Sequence, residues 1–207
     1  MIESREVRII SSGEEDMQEI LNEAEIFANS MKLSAKESLR VRLMTEETMA
    51  MIRQITGEPD VLVSFKGEDK ICTIHLEIET VMDQVIRDNL LSISKSGKNA
   101  AAKGVLGKIR DVIEQFIYIP GGDMTDDFVI DYVALGAPIE YTSAMTNAMS
   151  WSLQNYRINV EALRDNDEIS QEAWDELEKS VVANLADDVN IGIKGKLVTI
   201  DVIKNFD

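Results

Sequence analysis

The chain has 207 residues, 44% of them hydrophobic, and a formal net charge of −17. That supplies apolar material for one sizeable core, so a single domain with an elaborated insertion is expected rather than two independent domains. A chain this acidic repels phosphate and anionic lipid, which excludes general binding to nucleic acid or membrane surfaces and confines any phosphate site to a local basic patch.

Cys72 is the only cysteine, which excludes an internal disulfide and a cysteine zinc cluster. The N-terminus, Met1-Ile-Glu-Ser-Arg5, has no basic-then-apolar leader pattern, and no run of about 18 apolar residues occurs. A cytoplasmic protein is expected.

Residues 6 to 10 form a short strand, ending at Ser11-Ser12-Gly13, whose hydroxyls are placed to cap the acidic helix start Glu14-Glu15-Asp16. That helix runs to about Ser30. Ser34 offers a second cap, and a helical pattern continues until Gly57-Glu58-Pro59 stops it. Period-two alternation follows at Val61, Val63 and Phe65, then at Cys72, Ile74, Leu76 and Ile78, with Lys66-Gly-Glu-Asp-Lys70 as the turn of an antiparallel hairpin. Asp83 to Ser94 and Val105 to Ile117 have helical spacing around a loop at 95–104, and Phe128 to Val133 reads as a strand after the break at Pro120-Gly-Gly122. Tyr141 to Leu163 and Ser170 to Ala186 read as helices, and a hairpin of 190–193 and 197–203 closes the chain through Lys194-Gly-Lys196.

The segment Leu39 to Ile55 carries adjacent glutamates. At about 100° per residue, Val41, Met44, Thr48, Met51, Ile52 and Ile55 share one face, while Leu39, Leu43 and Ala50 make a second apolar patch with Glu46 at its edge. Apolar residues on both sides predict an interior helix. Glu46 then either takes a salt bridge to Arg42 or Arg53, stands exposed, or meets a donor, a metal-bound water or a ligand. Glu47, about 100° away, is expected to be solvated.

From Asn89 to Arg110 no acidic residue occurs, yet Lys95, Lys98, Lys103, Lys108 and Arg110 all fall there, punctuated by Gly97, Gly104 and Gly107. A glycine loop feeding a helix start presents backbone N–H groups to a phosphate; a basic surface loop balancing nearby acids fits the same residues. Ser96-Gly-Lys-Asn99 is not a Walker loop, because Ser92 occupies the first glycine position and Asn99 the hydroxyl position.

The order of elements is a strand, a helix, a glutamate-bearing helix, a hairpin, a glycine and lysine loop opening a helix, and a closing hairpin. Together with Met44-Thr-Glu46-Glu-Thr-Met-Ala50 and Lys103-Gly104-Val-Leu-Gly107, it resembles the GHKL family of histidine kinase-like ATPases (the Bergerat fold), on the side of the anti-sigma-factor kinases and histidine kinases. The resemblance covers residues 1 to 118 and 190 to 204 and leaves 119–189 as an insertion. It implies ATP as ligand and magnesium as cofactor. Glu46 matches the glutamate that acts on the attacking water, and Ala50 stands where the family has its magnesium-holding asparagine. Glu79 is nearest the adenine-binding aspartate, and Lys98, Lys103, Gly104 and Gly107 would hold phosphates.

His75 alternates away from Cys72 and Ile74, and no second histidine exists to make a metal pair, so it reads as a surface or interface residue. Asp123, Asp126 and Asp127 read as a solvated turn, lacking the glycine and glutamate of a calcium loop. Met145, Met149, Trp151 and Leu153 suit an adaptable partner surface or internal packing equally.

The expected fold is therefore an α/β (α+β) two-layer sandwich, a mostly antiparallel sheet with helices on one face and a helical insertion. The expected function is that of a nucleotide-binding regulatory protein. The alternative is a non-catalytic member of the same fold that works by binding a protein partner.

Overall fold

The computed structural model describes residues 1–10, 13–56, 60–79, 148–164, 168–194 and 197–207. Its strands are β1 (Ile2–Glu3), β2 (Val7–Ile9), β3 (Val61–Glu68), β4 (Ile71–Glu79), β5 (Ala148–Ser152), β6 (Asp188–Lys194) and β7 (Leu197–Asn205). Its helices are α1 (Glu14–Ser30), α2 (Ala35–Thr56), α3 (Leu153–Leu163), α4 (Glu168–Lys179) and α5 (Val181–Leu185). The strands form one seven-stranded sheet in the order β1-β3-β4-β7-β6-β5, with β2 also paired to β3. The class is α+β, with a mostly antiparallel sheet.

The chain divides into two compact units. The first comprises Met1–Glu79, Val181–Ile191 and Thr199–Asp207; the second comprises Thr80–Ser180 and Gly192–Val198. In the first unit β3 and β4 pair antiparallel from Val61↔Ile78 to Glu68↔Ile71. The Phe206 N–H donates to the Lys70 carbonyl at 3.1 Å, so the end of β7 lies against the start of β4 and the two run antiparallel. Alternation then sends Val61, Val63 and Phe65 of β3, Cys72, Ile74 and Leu76 of β4, and Ile200 and Val202 of β7 into the core. Ile20, Ala24 and Phe27 of α1 and Val41, Met44, Met51 and Ile52 of α2 are the buried apolar residues of the helices. The Phe27 ring stacks on Phe65 at 5.4 Å.

Local chemistry explains the helix ends. Ser34 and Glu37 form a capping box: the Ser34 N–H donates to Glu37 Oε2 at 2.6 Å, and the Glu37 N–H donates to Ser34 Oγ at 3.4 Å. The same bonds hold the Glu37 carboxyl below its usual range. Ser11 and Ser12, expected to cap α1, lie outside the described residues. The N-cap of α1 is Gly13, and the acidic first turn of Glu14, Glu15 and Asp16 answers the helix dipole.

The β3–β4 turn is tighter than the sequence suggests. Asp69 and Lys70 take φ of 47° and 66°, a two-residue hairpin of the kind that follows strand twist. Gly67 is therefore a strand residue, paired with Cys72 on one side and Ile2 on the other. Its lack of a side chain matters because a Cβ there would sit 2.9 Å from Phe27 Cζ and closer still to Met31. A glycine in such a run signals a turn and a close approach alike, and the close approach wins here.

In the second unit, the helix expected from Tyr141 gives way to β5 before α3 begins. Ser152 is the N-cap, its Oγ accepting from the Asn155 N–H at 3.3 Å. Trp151 and Leu153 are buried, which assigns them to packing, and Trp151 meets Tyr156 at 6.0 Å. The helix expected over 170–186 is broken at Ser180 into α4 and α5. The readings placed on 80–147 lie outside the described residues.

Gly67→Ala should lower stability by about 1–3 kcal/mol, because the added methyl displaces Met31 and Phe27 from a packed layer. Shortening Met31 to alanine in the same chain should recover part of that loss. Denaturant melts of the two variants check this, and an unchanged midpoint for Gly67→Ala would show that the layer gives freely.

Candidate functional site

Two places in the first unit concentrate chemistry: the outer face of α2 and the outer face of the sheet around His75. On α2 the core-facing side is occupied by Val41, Met44, Thr45, Thr48, Met49, Met51 and Ile52, all buried. The opposite side is not the second buried face that its apolar residues suggest, since Leu39 is 64% and Leu43 is 38% exposed. Hydrophobic pattern marks what can be buried and leaves open whether anything covers it.

Glu46 stands exposed on this outer face, whereas Glu47 is half-buried, the reverse of the expected ranking. Arg42 does not pair with Glu46; it forms an ion pair with Glu25 of α1. Among the described residues Glu46 has no ion-pair partner, and neither has Lys36, which is exposed on the same side. Beside Leu39 an open groove of about 420 Å³ runs between α1 and α2, with Leu33 and Ala35 on its apolar side and Glu25 and Arg42 on its polar side.

One turn beyond Glu46, Ala50 offers only a methyl group, which cannot ligate a cation. No group of three His, Cys, Asp or Glu residues among the described ones is arranged to hold a metal. Glu79 is the exposed last residue of β4, and among the described residues no hydrogen bond or ion pair joins it to Glu46. Lys98, Lys103, Gly104 and Gly107 lie outside the described residues.

On the sheet, His75 Nδ1 lies 2.5 Å from Asp201 Oδ1 on β7, and Nε2 lies 3.2 Å from Glu77 Oε1 on its own strand. The side chain is 16% exposed, far less than a surface residue. Two carboxylate partners demand an imidazole that donates through both nitrogens, which is the protonated form. The bond to Asp201 accordingly raises the His75 pKa, helped by Glu77 and opposed by burial and by Lys66. Ser64 is the cross-strand neighbour of His75 and is buried. Although Ser64, His75 and Asp201 are the residue types of a nucleophilic triad, His75 Nε2 is engaged by Glu77 and is not placed to take a proton from Ser64.

The sequence reading missed Asp201 and Glu77 as partners of His75. Alternation carried half of that signal, because Glu77 is two residues from His75 and must share its face. Asp201 needed the pairing of β4 with β7, which no local pattern supplies. Cys72 faces the core, where burial pushes its thiol up to about 12, so it is a packing residue and not a reactive one.

No family model matches the chain, and no curated protein or solved structure matches it either. Among the described residues no helix is long and apolar enough to cross a membrane.

The raised His75 pKa fixes the sign of a pH effect. With the folded value above the unfolded one of about 6.5, the stabilisation is full below that pH and is lost as pH rises through the folded value. The melting temperature of the native chain should exceed that of His75→Gln most at about pH 5.5, with the gap closing toward alkaline pH. A gap that widens with pH would contradict the assigned bonds.

Proposed function

We propose that the chain is a non-catalytic regulatory module of the histidine kinase-like ATPase class, acting through a protein contact made by the outer face of α2. The observation that carries this reading is the exposure of Leu39 and Leu43 one helical turn apart, on a helix whose opposite face already fills the core. Exposed leucines at adjacent turns cost solvation that folding does not return, and neighbouring apolar groups of this kind mark contact surfaces. Ala50 points the same way, since it removes the cation ligand that turnover in this class requires. Part of the element order behind the resemblance lies among the described residues: strands, two helices, a hairpin and a closing hairpin.

A second reading, that the chain binds nucleotide, is favoured by the acid-free stretch from Asn89 to Arg110 and by Lys103-Gly104-Val-Leu-Gly107. In that reading Lys98, Lys103, Gly104 and Gly107 hold the phosphates of ATP, with Glu46 and Glu79 nearby.

Two measurements separate the readings. Calorimetry with ATP and ADP, with and without magnesium, should give no heat of binding up to about 1 mM nucleotide, the weak limit of specific recognition. If binding is seen and is abolished by Lys98→Ala with Lys103→Ala, the nucleotide reading replaces the first. A photo-reactive amino acid at Leu43 should give a cross-linked protein adduct in cells, whereas one at Ile71, exposed at the β3–β4 turn, should not. Loss of the Leu43 adduct would remove the contact.

A further inference from the structure

We infer that the outer face of α2 pairs with the same face of a second copy of this chain, antiparallel about a two-fold axis. The inference rests on the contact reading above and names the partner of that surface. Lys36, Leu39, Leu43, Glu46 and Ala50 follow one another at alternating spacings of three and four residues, the spacing of a seam that one helix presents to another. Lys36, Leu39, Leu43 and Glu46 are all exposed.

Their order is a mirror about residue 41. Leu39 and Leu43 stand at equal distances on either side of it, and so do Lys36 and Glu46. An antiparallel second copy therefore sets each Leu39 against Leu43 of the other chain. The same register sets each Lys36 against Glu46, so two leucine contacts are closed at both ends by opposite charges. A two-fold interface needs this self-complementarity, in which the positive end of a stripe meets the negative end of its copy. A surface for an unrelated partner needs no such symmetry.

The charges are available for it. Neither Lys36 nor Glu46 has an ion-pair partner among the described residues, whereas Arg42, which flanks the stripe, is held by Glu25 of its own chain. Two leucines a side make a small interface, below the roughly 1,200 Å² of stable complexes, so the association is weak and depends on concentration. With a net charge of −17 on each copy, long-range repulsion opposes it further, and the register must come from the local charges.

The test is sedimentation equilibrium of the full chain from about 10 μM to about 1 mM near physiological salt. The native chain should move from monomer toward dimer over that range. Lys36→Glu alone, or Glu46→Lys alone, places like charges at both ends of the stripe and should leave a monomer with an unchanged melting temperature. An equal mixture of the two variants restores opposite charges at both contacts and should recover the dimer. Glu6→Lys makes the same net-charge change as Glu46→Lys at an exposed position outside α2 and should dimerise as the native chain does.

A native chain that stays monomeric throughout overturns the inference, and so does a dimer indifferent to both reversals or a mixture that does not reassociate. A monomer that still yields the Leu43 adduct in cells leaves the contact reading standing with a different partner. A monomer that yields none removes both.

Discussion

The stacking of Phe27 on Phe65, with Gly67 leaving the space beside it, is the constraint on which the first unit depends. Phe27 is the largest fully buried side chain of α1 and Phe65 of β3, and their 5.4 Å offset contact fixes α1 against the sheet at one point. Ion pairs at the base of α1 hold its rotation, through Arg5 Nε on Glu23 at 2.8 Å and Arg5 Nη2 on Glu19 at 2.9 Å. Once α1 is set, α2 packs beside it with Val41, Met44, Met51 and Ile52 inward. The outward direction of Leu39, Leu43 and Glu46 is the geometric remainder of that packing. The surface on which the functional reading rests is thus fixed by a contact on the opposite side of the helix layer.

Much of this unit is legible in the sequence because its elements are simple in period. Alternation at Val61, Val63 and Phe65, and again from Cys72 to Ile78, finds β3, β4 and the face each buries, and Ser34 with Glu37 announces the start of α2. The misreadings share a physical cause, which is that one local signal serves two outcomes. Gly67 reads as a turn because glycine permits turns, yet its function is to admit Phe27 and Met31. Residues 148–152 read as helix because α3, which follows without a gap, has the 3.6-residue period; Ser152 both ends the strand and caps the helix.

The candidate site was legible in composition and less so in environment. The helical wheel singled out Leu39, Leu43, Glu46 and Ala50 as one face, and that grouping matches the exposed side of α2. The wheel carries no account of what lies outside it, so it ranked Glu46 as the carboxylate in need of a partner and Glu47 as the solvated one. Burial reverses them, because Glu47 lies toward the side on which Thr48 and Met51 are packed. The partners of His75 were illegible for a different reason. Asp201 is far along the chain, and only the pairing of β7 with β4 brings it near.

The sheet side and the helix side of the first unit meet opposite electrostatic demands. On the sheet side, Asp201 and Glu77 favour the protonated form of the half-buried His75, and an acidic chain has carboxylates to spare for that purpose. On the helix side the same surplus of acid is a cost, since any second acidic surface is repelled at long range. An apolar contact there needs local positive charge to set its register. Lys36 supplies that charge at one end of the stripe, with Glu46 as its counterpart at the other. In the proposed pairing Glu46 is committed to Lys36 of the second copy, which is incompatible with keeping it open for a water or a cation. Ala50, one turn beyond Glu46, leaves a small, uncharged side chain at the end of the stripe, where a second helix is easily accommodated.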